Sequence, residues 1–139
     1  MKNTILLSVI IFFIIPFSAK TQESDISKKN VKQTVDYINK LLKDPGENNL
    51  TCSKTGEIEF ISKASSLKFN IKNITSIKYN TPLEGWYDAL LKCDNKCVSL
   101  DYILEDKHRT DNEASFGAKS EKAAREMVSA FIHLKSLFD

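Results

Sequence analysis

The sequence predicts an α+β fold with an N-terminal amphipathic helix, a strongly bent antiparallel sheet or barrel of six or seven short strands, and a C-terminal helix packed on its open end. Apolar residues recur at helical spacing after residue 30 and again after residue 120. Between these segments they alternate with polar residues, which is the period of a strand. Because no helical pattern separates the strand patterns, the crossovers that parallel strands need are missing, and an antiparallel sheet is favoured.

The first 19 residues have the pattern of a secretion signal. Lys2 gives a positive start, residues 5–17 form an almost unbroken apolar run, and Ser18-Ala19 supplies small residues for cleavage. The run is short for a hydrocarbon core about 30 Å thick. We therefore expect a signal peptide at 1–19, a single secreted or periplasmic domain at 20–139, and no membrane span in the mature chain.

The charge of the chain gives no support for nucleic-acid binding. Its formal net charge is +2, and removal of Lys2 with the signal lowers this to +1. Nucleic-acid recognition needs a concentrated basic face. Lysines and acids are instead interspersed, as on a solvated surface.

The first helix is expected from about Asp25 to Lys43. Ser24 or Ser27 would cap its start, and Asp44-Pro45-Gly46 would end it. Its apolar stripe consists of Val31, Val35, Ile38, Leu41 and Leu42.

The strand pattern begins at Leu50. The expected strands carry Ile58 and Phe60; Leu67, Phe69 and Ile71; Ile74, Ile77 and Tyr79; and then span residues 86–93, residues 97–104 and, as a short closing strand, residues 114–118. The segments 86–93 and 97–104 flank only Asp94-Asn95-Lys96, which predicts that they pair as a hairpin. Residues 105–113 are charged and predict a solvent-exposed loop.

The last helix is expected to begin after Ser120 as its N-cap. Glu121 near its start and Lys135 near its end would interact favourably with the helix dipole. Its apolar stripe consists of Ala124, Met127, Val128, Phe131, Leu134, Leu137 and Phe138.

This order of elements resembles the pleckstrin-homology-like barrel, in which a bent sheet closes on itself and a final helix plugs one open end. The segments 67–79 and 86–104, with the helix that contains Ala123-Ala124, are similar to small secreted bacterial proteins of unknown function with this fold. The resemblance covers about residues 50–138 and implies that 120–138 is the plug. The N-terminal helix is an addition. Because no basic cluster marks the early strand loops, the lipid-binding role of the family is not expected.

Cys93 and Cys97 are the candidate disulfide. Residues that face each other in a hairpin come within disulfide range, and an oxidising compartment lets the bond persist. A bond between Cys52 and one of them is the alternative. With three cysteines at least one stays unpaired within the monomer, and we expect this to be a buried Cys52 thiol.

The sequence gives weak support for a metal or catalytic site. Cys93 and Cys97 with His108 have zinc-like spacing, but only Cys52 could complete four ligands. Cys97 with His108, or Cys52 with His133, could form a nucleophile pair, yet such pairs arise by chance among these residues. No nucleophile elbow, phosphate loop, HExxH or EF-hand pattern occurs. We therefore expect no enzymatic activity and no cofactor.

The candidate partner contacts are Trp86, Tyr87, His108 and Arg109. Aromatic residues at loop–strand junctions often anchor partners, although Trp86 could instead fill the end of the barrel. His108-Arg109, in the charged loop, could meet an anionic ligand. We expect a non-catalytic binding or accessory domain for a protein, a peptide or an envelope component. The alternatives are a small-ligand carrier that uses the barrel interior and a secreted enzyme inhibitor.

Overall fold

Two α-helices and eight antiparallel strands in two sheets make up residues 25–139, the part of the chain that the computed structural model describes. The α+β class is confirmed. The expected signal peptide and Ser24 lie outside the described residues. The helices are α1 (Val31–Leu41) and α2 (Glu121–Ser136), and short 3-10 helices span Ile26–Lys28 and Ile71–Asn73. The strands are β1 (Asn49–Cys52), β2 (Glu57–Ile61), β3 (Ser65–Asn70), β4 (Ile74–Asn80), β5 (Asp88–Cys93), β6 (Val98–Tyr102), β7 (Lys107–Asp111) and β8 (Glu113–Gly117).

The strands form two sheets that are not closed into one barrel. The five-stranded sheet has the order β1-β2-β3-β6-β7, and the three-stranded sheet has the order β4-β5-β8. The chain therefore passes from one sheet to the other after β3, β5 and β7. Helix α2 packs against β4, β5 and α1, while α1 also packs against β1. Both helices thus contribute to the core instead of lying apart from it.

The predicted hairpin of residues 86–93 with 97–104 is wrong. β5 pairs with β4 and β8, and β6 pairs with β3 and β7, so these two strands lie in different sheets. Asn95 and Lys96 have φ angles of 62° and 52° at the crossing. The Cys93 N–H donates to the carbonyl of Asn112, 2.8 Å away, which brings the crossing after β7 beside this one. A short polar loop between two alternating segments permits either arrangement, and the buried partners of each strand decide between them.

The expected loop at 105–113 contains a strand. β7 pairs with β6 along its length, yet its side chains from Lys107 to Thr110 are exposed. An edge strand with solvent on its surfaces needs no apolar alternation, and its charged residues discourage pairing with another chain. The hydrophobic pattern therefore could not reveal it.

The first helix is shorter than predicted. It begins after Asn30, whose side chain accepts from the Gln33 N–H while the Gln33 side chain accepts from the Asn30 N–H. This reciprocal capping box is a stronger start than Ser27, which instead hydrogen-bonds with Asp25 at the preceding 3-10 turn. The end is close to the expected one, since Asp44 takes a φ of 55° just after the helix. The last helix begins at its expected cap, where Ser120 Oγ accepts from the Ala123 N–H at 3.1 Å.

Phe116 is at the centre of the core. Its ring lies 5.3 Å from that of Phe60 in an edge-to-face arrangement and 6.1 Å from that of Phe69, both on the five-stranded sheet. Its centroid is also 5.0 Å from that of Phe131 on α2. Phe116 and Phe131 are fully buried. One residue of β8 therefore connects the two sheets and the last helix.

Candidate functional site

Four connections meet at one end of the molecule, which we call the loop end. They are residues 42–48 after α1, the turn 62–64 between β2 and β3, the loop 81–87 between β4 and β5, and the turn 103–106 between β6 and β7. These four connections are separated from one another in the sequence by strands, so only the folded chain brings them together.

Specific contacts join these connections. The Lys43 ammonium lies 3.8 Å from the centroid of the Trp86 ring, which links residues 42–48 to the loop 81–87. Lys63 in the turn 62–64 forms an ion pair with Glu47. The Ile103 N–H donates to the carbonyl of Ala64 at 2.9 Å, which links the two strand turns.

The loop end carries most of the exposed large apolar side chains of the described residues. Of seven such side chains, four lie there: Leu104 (80% exposed), Leu83 (71%), Ile103 (57%) and Trp86 (42%). A fifth, Ile61 (44%), is the last residue of β2 and directly precedes the turn 62–64. The other two, Ile132 and Leu137, belong to α2 and the residue after it. Scattered exposed apolar residues are ordinary, but a group at one end of a domain marks an interaction surface.

Trp86 does not fill the interior of the fold. Its ring is partly exposed, and the Lys43 ammonium covers one face in a cation–π contact. The Trp86 N–H donates to the Leu83 carbonyl at 3.0 Å in a turn where Gly85 has a φ of 75°, so Leu83 and Trp86 are held close together. Tyr87 is half-buried, and its carbonyl accepts from the Ala118 N–H. The structure therefore separates the predicted aromatic pair into an exposed side chain and a packed one.

His108 and Arg109 lie on β7 and not in a loop. His108 Nδ1 is 2.5 Å from a carboxylate oxygen of Asp101, and the Arg109 guanidinium is 2.9 Å from Asp111. Arg109 also lies over the Tyr102 ring, 5.8 Å from its centroid. Exposed pairs of this kind contribute little to stability, but they place an acid beside each of these candidate anion contacts.

Asp88 is a buried polar group that the sequence analysis missed. Only 4% of its surface is exposed. Its Oδ2 accepts a hydrogen bond from Ser115 Oγ, whereas Oδ1 is buried and has no hydrogen-bond partner among the described residues. An acid at the start of a strand ordinarily faces solvent, so the sequence does not predict that Asp88 is buried, and only the folded structure shows it.

A groove of about 680 Å³ lies between α1 and β1. Its lining includes Val35, Leu50, Cys52 and Phe138. The Asn39 side-chain amide bonds both the N–H and the carbonyl of Leu50, each at 2.8 Å, and so occupies part of the edge of β1. This groove is open to solvent and distinct from the loop end.

The structure contains the predicted pair of Cys93 and Cys97, although the strands that flank them do not form a hairpin. Cys93 and Cys97 are bonded, with Cα atoms 6.2 Å apart, and the bond spans the crossing between the sheets. Cys52 is free and half-buried, so the prediction of a buried thiol was too strong. Burial, with a smaller effect from the negative charge of Glu57, raises the pKa of Cys52 to about 11.

The positions of the cysteines and histidines argue against the hypothetical nucleophile pairs, Cys97 with His108 and Cys52 with His133. Cys97 is in the disulfide and has no thiol to offer to His108. His133 is half-buried on α2, where Nε2 lies 2.7 Å from the carbonyl of Lys29. A thiol with a raised pKa, as in Cys52, is a poor nucleophile at neutral pH.

Peptide mapping under non-reducing conditions should link Cys93 to Cys97 and leave Cys52 unbonded. Because the thiolate of Cys52 is scarce at pH 8, its alkylation should be slow in the native protein and accelerate on denaturation. A small closed loop of this kind contributes about 2 kcal/mol in the chain-entropy picture. A peptide that joined Cys52 to either partner would contradict the assignment.

Within residues 25–139, no helix is both long and apolar enough to cross a membrane. In the same part of the chain, no three His, Cys, Asp or Glu side chains converge as metal ligands. Comparison with protein-family models, with curated proteins and with solved structures finds no match to this chain.

Proposed function

We propose that this chain is a secreted or periplasmic, non-catalytic binding module that docks a protein partner through its loop end. The observation that carries the proposal is the grouping there of four of the seven exposed large apolar side chains of the described residues, with a fifth, Ile61, directly beside the turn 62–64. Leu104 and Leu83 are the most exposed of them, and Trp86 adds a large amphipathic ring of the kind that dominates binding energy at interfaces.

The charges around this surface favour a protein over a membrane or a nucleic acid. The connections of the loop end carry two lysines, Lys43 and Lys63, and five acids: Asp44, Glu47, Glu84, Glu105 and Asp106. A mixed rim around an apolar centre is the usual composition of a protein interface. An anionic lipid surface or a phosphate backbone would instead select a concentrated basic patch. Inhibition of a secreted enzyme is one form that such docking could take.

A small-ligand carrier is the second candidate, and the groove between α1 and β1 favours it. Its volume of about 680 Å³ lies within the range of small-molecule sites. The space between the sheets is a less suitable ligand chamber, because the rings of Phe60, Phe69, Phe116 and Phe131 pack together there. A carrier of this fold would therefore hold its ligand at the side and not in a barrel interior.

Loss of an apolar anchor tests the docking proposal. The protein is immobilised, the extracellular or periplasmic fraction of its source is passed over it, and the retained proteins are quantified. We expect Leu104→Ser to reduce the retention of a specific partner by about tenfold or more, as for an interface anchor. Ile132→Ser, which changes an exposed apolar residue on α2, is the matched control and should retain the partner as the unmodified protein does.

Equal retention by both variants and the unmodified protein would contradict docking at the loop end, as would the absence of any specifically retained protein. A small molecule that co-purifies and is lost on Cys52→Trp, which fills the groove, would favour the carrier instead.

A further inference from the structure

We propose that the groove between α1 and β1 binds an extended, acidic polypeptide segment of a partner, which adds to the free edge of β1 at Cys52 and places a carboxylate at Lys54. The inference goes beyond docking at the loop end, because the groove is a separate surface, and it gives the groove a polypeptide occupant in place of a small molecule. Three observations carry it: unpaired backbone groups on an edge strand, an open space beside that edge, and a lysine without an ion-pair partner among the described residues.

β1 is an edge strand, since it lies at the end of the five-stranded sheet. In an antiparallel pair, the N–H and carbonyl of successive residues point alternately toward the partner strand and away from it. The Ser53 N–H donates to the Glu57 carbonyl at 2.9 Å on the β2 side, so Cys52 directs its own N–H and carbonyl away from β2. No described residue forms a hydrogen bond with these two backbone groups. Such an edge is a template for a further strand.

Asn39 of α1 already forms, at Leu50, the hydrogen bonds that an added strand would form. Its side-chain amide donates to the Leu50 carbonyl and accepts from the Leu50 N–H, each at 2.8 Å. Cys52 is the next residue with outward backbone groups, about 7 Å further along the strand. There the groove, with a volume of about 680 Å³, lies between β1 and the helix residues Val31 and Val35. The helix therefore covers the strand edge at Leu50 and leaves room for a chain at Cys52.

The apolar part of the groove suits one side chain of an added strand. Val31 and Val35 contribute to the lining from α1, and Leu137 and Phe138 contribute from the end of the chain after α2. Alternate side chains of a strand point to opposite faces, so one apolar side chain would enter the groove while its neighbours face solvent. It would cover Leu137, which is 40% exposed. Burial of this surface adds affinity to the backbone hydrogen bonds.

The charges of the groove favour an acidic segment. Its lining contains three charged side chains, of which Lys32 and Asp36 form an ion pair at 2.6 Å. Lys54, the third, has no ion-pair partner among the described residues. A second acid nearby, Glu57, accepts a hydrogen bond from the Asn70 side chain. The remaining unpaired charge of the lining is therefore positive and complements a carboxylate.

Random heptapeptides displayed on phage are the probe for this groove. They are selected on the immobilised Leu104→Ser protein, which lacks the most exposed apolar side chain of the loop end. We expect the enriched sequences to share an acidic residue close to an apolar one. A synthetic peptide of an enriched sequence should then bind the unmodified protein saturably in calorimetry. A selection that enriches no sequence would contradict the inference.

Lys54→Gln tests the charge in the groove. We expect it to weaken binding of the synthetic peptide by about three- to fivefold, as for loss of an exposed ion pair. Lys54 is exposed, so the substitution should leave the fold intact. Lys78→Gln is the matched control, because Lys78 is an exposed lysine of β4 in the other sheet, also without an ion-pair partner among the described residues. It should bind the peptide as the unmodified protein does.

N-methylation of the peptide tests the addition of a strand. Because Asn39 occupies the backbone groups of Leu50, only one peptide N–H should donate to β1, at the Cys52 carbonyl. We expect a methyl group on that nitrogen to weaken binding by about tenfold, and one on either adjacent nitrogen to have a much smaller effect. The bound peptide should also slow the alkylation of Cys52, the free thiol in the lining of the groove.

Unchanged affinity in Lys54→Gln, equal effects of N-methylation at every position, or an unchanged rate of Cys52 alkylation would each overturn the assignment of the groove. Failure here is distinguishable from failure of the docking proposal, which Leu104→Ser tests at a different surface. If the peptide does not bind in the groove but Leu104→Ser still loses the partner, only this inference is wrong. If the peptide binds in the groove but no partner depends on Leu104, docking at the loop end is wrong and the groove remains.

Discussion

Phe116→Ala is expected to reduce the free energy of unfolding by about 3–5 kcal/mol, the usual cost of removing a fully buried phenylalanine. The ring is within 5.0–6.1 Å, centroid to centroid, of three other aromatic rings, two on the five-stranded sheet and one on α2. Alanine would leave a cavity that elements anchored in three directions cannot collapse to fill. A small domain has only about 5–15 kcal/mol of stability in total, so the variant should be near the limit of folding.

The measurement is the midpoint of urea unfolding, followed by circular dichroism. Ile132→Ala is the control, since this residue is exposed on α2 and its truncation should change stability by about 0.5 kcal/mol or less. Equal midpoints for Phe116→Ala and Ile132→Ala would show that Phe116 does not connect the sheets and the helix as described.

Phe131→Ala should also destabilise the protein by about 3–5 kcal/mol. Phe131 is fully buried on α2, with its centroid 5.0 Å from that of Phe116, and the helix packs on β4 and β5. Ser120→Ala should cost only about 1 kcal/mol, because it removes one N-cap hydrogen bond to the Ala123 N–H. The order of the two costs distinguishes a helix that completes the core from one that merely rests on its surface.

Urea midpoints of both variants in the purified protein decide the question. If Phe131→Ala unfolds no earlier than Ser120→Ala, α2 does not complete the core, and the arrangement of the helix over the three-stranded sheet is wrong. A larger loss for Phe131→Ala would support the packing but would not distinguish a pleckstrin-homology-like barrel from two separate sheets.

Local sequence determined the features that depend on neighbouring residues. The start of α2 follows from Ser120 and the apolar spacing behind it, and the structure places the cap hydrogen bond there. The alternation around Leu67 and Phe69 fixes which side of β3 is buried. Cys93 and Cys97 are close enough in sequence to bond whichever strands flank them, which explains why the disulfide prediction survives the loss of its hairpin.

Strand partners were decided by the tertiary structure. Alternation shows which side chains share a face, but it does not say which strand lies alongside, because any two strands of matching pattern can pair. β5 and β6 are adjacent in sequence and yet belong to different sheets. β7 gave no apolar signal at all, since its position at a sheet edge leaves Lys107 to Thr110 in solvent.

The candidate site also combines residues that the sequence identifies with residues that only the tertiary structure identifies. The sequence identified Trp86 as a plausible contact because an aromatic residue beside a loop is locally recognisable. The sequence pattern predicts that Ile103 and Leu104 end a strand. Only the hydrogen bond from the Ile103 N–H to the Ala64 carbonyl places their turn beside the turn between β2 and β3. Asp88 is buried because Ser115 and Gly117 of β8 pair alongside β5. Composition and periodicity thus determined the fold class, the last helix and the short-range disulfide. Long-range pairing alone decided which loops meet and which acid is buried, because such contacts depend on how the whole chain buries its apolar surface.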